Sequence, residues 1–124
     1  MSDGLHGVVV CHGDLARALI DSAEGISGVR GRLVAVTNTG CDRSALEERI
    51  VAAVGGRPSI VFLDMPSGSC VFAAMRRLAT LTEVRLVTGV NLAMLLDFLL
   101  SGDGSVEVAA AHTVETGAKA IGRR

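Results

Sequence analysis

The residues with chemical capacity fall immediately after short apolar runs. His12 follows GVVVC at 7–11, and Asp64 follows SIVFL at 59–63, with the turn Ser67-Gly68-Ser69-Cys70 close behind. Two further runs, LVAVT at 33–37 and VRLVT at 84–88, lead into Asn38-Thr39-Gly40-Cys41-Asp42 and Gly89-Val90-Asn91. A carboxylate that binds one imidazole nitrogen fixes the ring's tautomer and leaves the other nitrogen as an unprotonated nucleophile. That pairing is what a histidine-based phosphoryl acceptor requires. A small-residue turn opening a helix adds backbone N–H groups that favour an anion. Each feature alone is ordinary, because a histidine after a strand is more often structural and SGS is a common turn. The signal lies in their convergence on one edge.

The four runs are rich in Val and Ile, as strands buried on both faces should be, and each precedes a segment of helical period. After the first, Leu15, Ala18, Leu19, Ser22, Ala23 and Ile26 form an apolar or small-residue stripe, with Arg17, Asp21 and Glu24 off it. The second helix is expected from a capping box at Ser44 and Glu47 to the stop at Gly55-Gly56. A third is expected to open at Ser69 and carry 71–79, a fourth to span 91–100, and a fifth, after the SGDG break, to span 106–116. Strands alternating with helices imply right-handed crossovers and a doubly wound, mostly parallel four-stranded α/β sheet with helices on both faces, in a single domain over residues 1–124. In such a sheet ligands sit beyond the carboxyl ends of the strands, where the winding reverses. With the first and third strands as central neighbours, His12 and Asp64 leave strands about 5 Å apart.

Composition removes several classes. Twelve basic and thirteen acidic residues, no Trp, no Tyr and three Phe give neither the charge nor the aromatic platforms that nucleic acid needs. The acidic MSDG start and the brevity of the apolar stretch 90–100, which contains Asp97, argue against export or membrane insertion. Cys11, Cys41 and Cys70 lack metal-finger spacing and read as reduced thiols of a cytoplasmic protein. No metal and no cofactor is expected. Cys41 and Cys70 follow strand ends on the edge of His12, so a metal or redox site there is conceivable, although buried thiols are usually inert.

The strings VVVCHGDLARALIDSAEGISG, FLDMPSGSC, VTGVNLAMLLDFL and VETGAKAI, in this order, resemble the IIA domain of the mannose/fructose/sorbose class of the bacterial sugar phosphotransferase system. The resemblance implies a phosphocarrier of sugar transport: His12 takes a phosphoryl group from the phosphohistidine of HPr and passes it to a histidine on a IIB partner. Asp64 matches the aspartate that orients and charges that histidine. By position Ser69 matches the family's turn serine near the phosphoryl group, and Gly13, Ser67 and Gly68 are expected to support that group beside it. Asn91 matches the family's asparagine after the fourth strand, with an expected supporting role in shaping the loop. The family is usually dimeric, so a homodimer is implied. This chain departs from the pattern in its turn, Ser67-Gly68-Ser69-Cys70 in place of Gly-Gly-Ser-Pro, and at Ala93, where Pro is usual. Two other readings share the same histidine: a regulatory module whose His12 phosphorylation is read by another protein, and a carrier for dihydroxyacetone phosphorylation. His6 and His112 lie outside the motif and are expected to be solvated or structural. Arg76, Arg77, Arg123 and Arg124 are expected on the solvated face and tail.

Overall fold

The computed structural model describes residues 5–81, 83–101 and 104–124. The acidic start and part of the SGDG break, on which two of the sequence readings rest, lie outside them. The strands are β1 (His6–Cys11), β2 (Leu33–Thr37), β3 (Ser59–Leu63) and β4 (Val84–Thr88). The helices are α1 (Leu15–Ser27), α2 (Arg43–Val54), α3 (Ser69–Leu78), α4 (Leu92–Ser101) and α5 (Val106–Lys119). All strand pairs are parallel, in the order β2-β1-β3-β4. From β1 the chain winds outward to β2, then crosses back to β3 and on to β4. The winding therefore reverses between β1 and β3, whose carboxyl ends carry His12 and Asp64.

Every residue of β1 and β3 is buried, while the edge strands β2 and β4 are buried only in part. Alternation of side chains divides the central strands between two cores. Val9, Cys11, Ile60 and Phe62 pack with α1, α4 and α5, whereas Val8, Val10, Val61 and Leu63 pack with α2 and α3. Phe62 meets Phe98 of α4 edge to face, ring centres 5.4 Å apart. This double cover gives the crossing helices fixed seats and holds the two site-bearing strands rigidly side by side.

Gly7 sits where a side chain does not fit. A Cβ there would lie 2.5 Å from Leu33 Cδ2 and 3.0 Å from Phe98 Cε2. Gly7→Val is therefore expected to destabilise the fold by roughly 1–3 kcal/mol through overpacking, seen as a lower denaturation midpoint.

Two local expectations need correction. The buried face of α1 is Ala16, Ile20 and Ala23, while Leu15 and Ile26 are exposed. The expected stripe was rotated by about one residue, because small residues at 18 and 22 fit an apolar pattern without needing burial. The cap of α2 is Asp42, whose Oδ1 accepts from Ala45 N at 2.9 Å. Ser44 and Glu47 form no capping box: Glu47 is buried within salt-bridge reach of Arg76 and Arg77 at 3.8 Å each, and Arg77 also binds Glu48 at 2.6 Å. Those two arginines thus tie α3 to α2.

The remaining histidines are structural. His6 is buried, and its Nε2 lies 3.0 Å from an Arg57 guanidinium nitrogen. Burial first, and then the Arg57 charge, lower its pKa, so the ring is kept as a neutral acceptor. His112 of α5 meets Asp97, a lone charge on an otherwise apolar α4, at 2.8 Å. The hydrogen bond and charge of Asp97 raise the pKa of His112 above 6.5. A raised histidine contributes stability that is complete below its unfolded value and is lost as pH rises through its folded value. The stability difference between the wild type and His112→Gln is therefore expected to be greatest below pH 6.5 and to shrink on the alkaline side, as thermal melts across that range would show.

Candidate functional site

His12 is the first residue beyond β1, and Asp64 the first beyond β3. The β1–β3 register places Val10 against Leu63, so the two residues leave the sheet at nearly the same level. Nδ1 of His12 lies 2.9 Å from Asp64 Oδ2, and the His12 backbone N–H donates to the same oxygen at 3.0 Å. The His12 side chain is 43% exposed and that of Asp64 10%. One carboxylate oxygen thus fixes both the backbone and the ring of His12. Asp64 Oδ1 is buried and has no hydrogen-bond partner among the described residues, so no competing donor draws the carboxylate away from the ring.

Burial of Asp64 would raise its pKa, but the hydrogen bonds from the His12 ring and backbone, with the ring's charge, outweigh it and the pKa is lowered. The carboxylate is therefore anionic near neutrality. With the Nδ1 proton donated to it, the lone pair resides on Nε2, on the side of the ring away from Asp64.

The neighbouring turn is held by residues that the sequence reading gave no role. Gly13 has φ +58°, a left-handed conformation that glycine adopts without strain, and it turns the chain from β1 toward α1. Its N–H donates to Asn38 Oδ1 at 3.3 Å, and its carbonyl accepts from Thr37 Oγ1 at 2.8 Å. Arg49 of α2 in turn donates to the Thr37 and Thr39 carbonyls at 3.0 and 3.1 Å. The signal available in sequence was Thr37-Asn38-Thr39 itself, a set of short polar side chains suited to binding adjacent backbone, on a strand bordering β1.

Ser67, Gly68 and Ser69 form an exposed turn after Asp64, with Gly68 at φ +108° as the residue before α3. Helices α1, α2, α3 and α4 all begin at this edge. Asp14 precedes α1, Asp42 caps α2 and Asn91 caps α4, whereas α3 starts after Gly68 with no side-chain cap and no acidic residue in its first turn, which leaves its positive end available to an anion. Neither serine hydrogen-bonds to His12. Asn91 does not reach His12 either: its Oδ1 accepts from Met94 N at 3.0 Å and its Nδ2 donates to the Gly117 carbonyl at 3.3 Å, which caps α4 and ties it to α5. The structure thus brings together His12, Gly13 and Asp64, sets the 67–69 turn beside them, and gives Asn91 a loop-shaping contact.

Cys11 and Cys70 are buried, Cys41 is half-buried, and all three are free thiols. Burial, with smaller contributions from Asp64 and Cys70, pushes the Cys11 thiol up to about 12. Among the described residues no cluster of three or more His, Cys, Asp or Glu side chains could hold a metal ion, and no helix is long and apolar enough to cross a membrane. A cleft of about 170 Å³ lined by Gly13, Asp14, Arg17 and Thr37 adjoins the site. It is smaller than the roughly 300–1,000 Å³ of a typical small-molecule pocket.

Fold and site together define an α/β protein with a doubly wound parallel sheet and a partly exposed, carboxylate-bound imidazole at its switch point. The chain belongs to the family described as PTS system fructose IIA component, which matches residues 7–115. It is accordingly a phosphotransferase component with a role in a sugar phosphotransferase system. Among solved structures it is similar to the mannose/sorbose-specific IIA subunit of the phosphotransferase system from Enterococcus faecalis, at 25% identity and TM-score 0.85, covering 98% of this chain and 95% of that one. The fold also matches a phosphotransferase component EIIA from Streptococcus agalactiae, at 18% identity and TM-score 0.88, over 96% of each chain. A third match is the PTS IIA protein associated with the fucose utilization operon from Streptococcus pneumoniae, at 22% identity and TM-score 0.81, over 99% and 96% of the two chains. No curated protein matches the chain in sequence.

Proposed function

We propose that the protein is a phosphohistidine carrier in which His12 Nε2 accepts a phosphoryl group from the phosphohistidine of HPr and passes it to a histidine of a IIB-type partner. The observation that carries this reading is the 2.9 Å contact between His12 Nδ1 and Asp64 Oδ2 on a ring that is 43% exposed. It combines a fixed tautomer with access for another protein.

In acceptance the His12 Nε2 lone pair attacks phosphorus as the donor's N–P bond breaks and the donor imidazole leaves with the bonding pair. In onward transfer a ring nitrogen of the partner histidine attacks, and His12 Nε2 leaves with the bonding pair. The phosphorylated His12 ring becomes cationic, with its proton still on Nδ1, and the Asp64 carboxylate stabilises that charge. Positioning and electrostatics supply most of the catalysis in such a step. Backbone N–H groups of the 67–69 turn support the phosphoryl oxygens, and Gly13 shapes the loop beside them. Asn91 supports the site indirectly, through the start of α4. The same reading takes residues 1–124 as one domain acting in the cytoplasm as a homodimer, in line with the family resemblance.

Incubation with enzyme I, HPr and phosphoenolpyruvate tests the proposal. Intact mass should show one acid-labile phosphoryl group, and later addition of a cognate IIB should discharge it. Absence of label when HPr itself is phosphorylated would overturn the reading.

A further inference from the structure

The backbone of His12 is held on both sides, and by different strands. From β3, Asp64 Oδ2 takes the His12 N–H as well as the ring. On the opposite flank the β1–β2 register sets Cys11 against Thr37, so these two strand ends leave the sheet together. Their pairing continues one step further, where the Asn38 N–H donates to the Cys11 carbonyl at 3.4 Å. The residue after His12 then gives both its polar backbone groups to the end of β2. Asn38 Oδ1 accepts the Gly13 N–H at 3.3 Å, and the Thr37 hydroxyl donates to the Gly13 carbonyl at 2.8 Å.

The direction of each bond is fixed by what its partner can do. The Gly13 N–H only donates, so the Asn38 amide presents its oxygen; the Gly13 carbonyl only accepts, so the single Thr37 hydroxyl proton points at it. The Thr37 hydroxyl oxygen is left to accept, and the Thr39 N–H supplies it at 3.1 Å. Arg49 of α2 closes the turn from outside on the Thr37 and Thr39 carbonyls, and the Cys41 thiol donates to the Asn38 carbonyl at 3.2 Å. Asp64 thus fixes the ring and the peptide preceding His12, while the peptide that follows falls to Thr37 and Asn38. That peptide runs into Gly13, at φ +58°, and glycine has the widest choice of backbone conformation. Rotation there would swing the Cα–Cβ bond of His12 and, with it, Nε2.

We propose that Thr37 and Asn38 are positioning residues for phosphoryl transfer: they lock the peptide between His12 and Gly13, so that Nε2 keeps one direction of attack, and Arg49 holds the pair in place. They act through the His12 backbone and not on the phosphoryl group. Their role in transfer rests on the carrier reading of His12, whereas the clamp itself does not.

The test follows acceptance by the full chain from phosphorylated HPr over a range of HPr concentrations, with rates taken per folded molecule from a parallel denaturation curve. Thr37→Val keeps the shape of the side chain and drops the hydroxyl; Asn38→Ala removes the amide. Each should lower the maximal rate by about tenfold or more, as misalignment of a reacting atom does. The HPr concentration at half-maximal rate should change by less than about twofold, because the partner's contacts are intact. Thr37→Ser restores the hydroxyl and should restore the rate, and Asn38→Ala suffices if Thr37→Val fails to fold. Exchange of the Gly13 amide hydrogen, followed by NMR, reports the clamp independently of transfer. It should be slow in the wild type and in Thr37→Ser, and faster by about tenfold or more in Asn38→Ala, where that N–H is released to water. An unchanged maximal rate in a folded variant, a loss confined to the HPr concentration dependence, or free exchange of Gly13 in the wild type would overturn the proposal. A wild-type chain that takes no phosphoryl group would overturn the carrier reading and this role with it, while Gly13 exchange still reports whether the clamp exists.

Discussion

His12→Ala is expected to accept no phosphoryl group from HPr while remaining folded. The two halves of that expectation have separate causes. Nε2 of His12 is the proposed nucleophile, and the other histidines are unsuited to replace it. His6 is buried against Arg57 at the opposite end of β1, and His112 is paired with Asp97 in mid-helix, away from the strand ends. The fold should be nearly indifferent, because the exposed ring contributes little to either core and the His12 backbone N–H continues to bind Asp64. A stability change within about 1 kcal/mol is expected, as for loss of one partly exposed hydrogen bond. Intact mass after incubation with the phosphorylated carrier, paired with a denaturation curve, checks both. Full labelling of a folded His12→Ala protein would move the acceptor elsewhere.

The legibility of this site in sequence follows from how it is built. Val-rich runs on the central strands can only be buried, so the sheet, its parallel sense and the central pairing of β1 with β3 could be read from pattern. Once the winding order was inferred, His12 and Asp64 had to emerge side by side. The correct face of α1 was less accessible, because Ala18 and Ser22 are compatible with burial or exposure and only packing against α4 and β2 decides between them. Asp42 and Ser44 were both competent caps, and burial of Glu47 beside Arg76 and Arg77 settled the choice. The Thr37–Asn38 clamp on Gly13 was harder still, since it depends on two loops separated by some two dozen residues meeting at hydrogen-bond distance. The pairing of His112 with Asp97 likewise required the relative seating of two helices.

Asp64→Asn tests the electrostatic half of the site, and its expected effect is a loss of roughly 10²-fold or more in phosphoryl acceptance with His12 still in place. An amide occupies the same space, and its oxygen can still receive the His12 backbone N–H, so orientation survives in part. Charge does not, and the cationic ring formed as the phosphoryl group arrives loses the carboxylate beside it. There is also a tautomer penalty: an amide that turns its NH₂ toward Nδ1 favours the ring with its proton on Nε2, where the nucleophilic lone pair is needed. The opposite rotamer places the NH₂ in the buried position of Asp64 Oδ1, which has no partner among the described residues. An unsatisfied donor there would cost about 1–3 kcal/mol. Neither orientation reproduces the carboxylate. The wild-type pH dependence gives the expectation its sign: because the folded Asp64 pKa lies below 3.8, its contribution to stability is present above that value and is lost as pH falls through the folded pKa. Asp64→Asn should lack that acid-side loss while remaining the slower acceptor near neutrality. Equal acceptance rates for Asn and Asp would mean that the 2.9 Å contact orients His12 without contributing its charge.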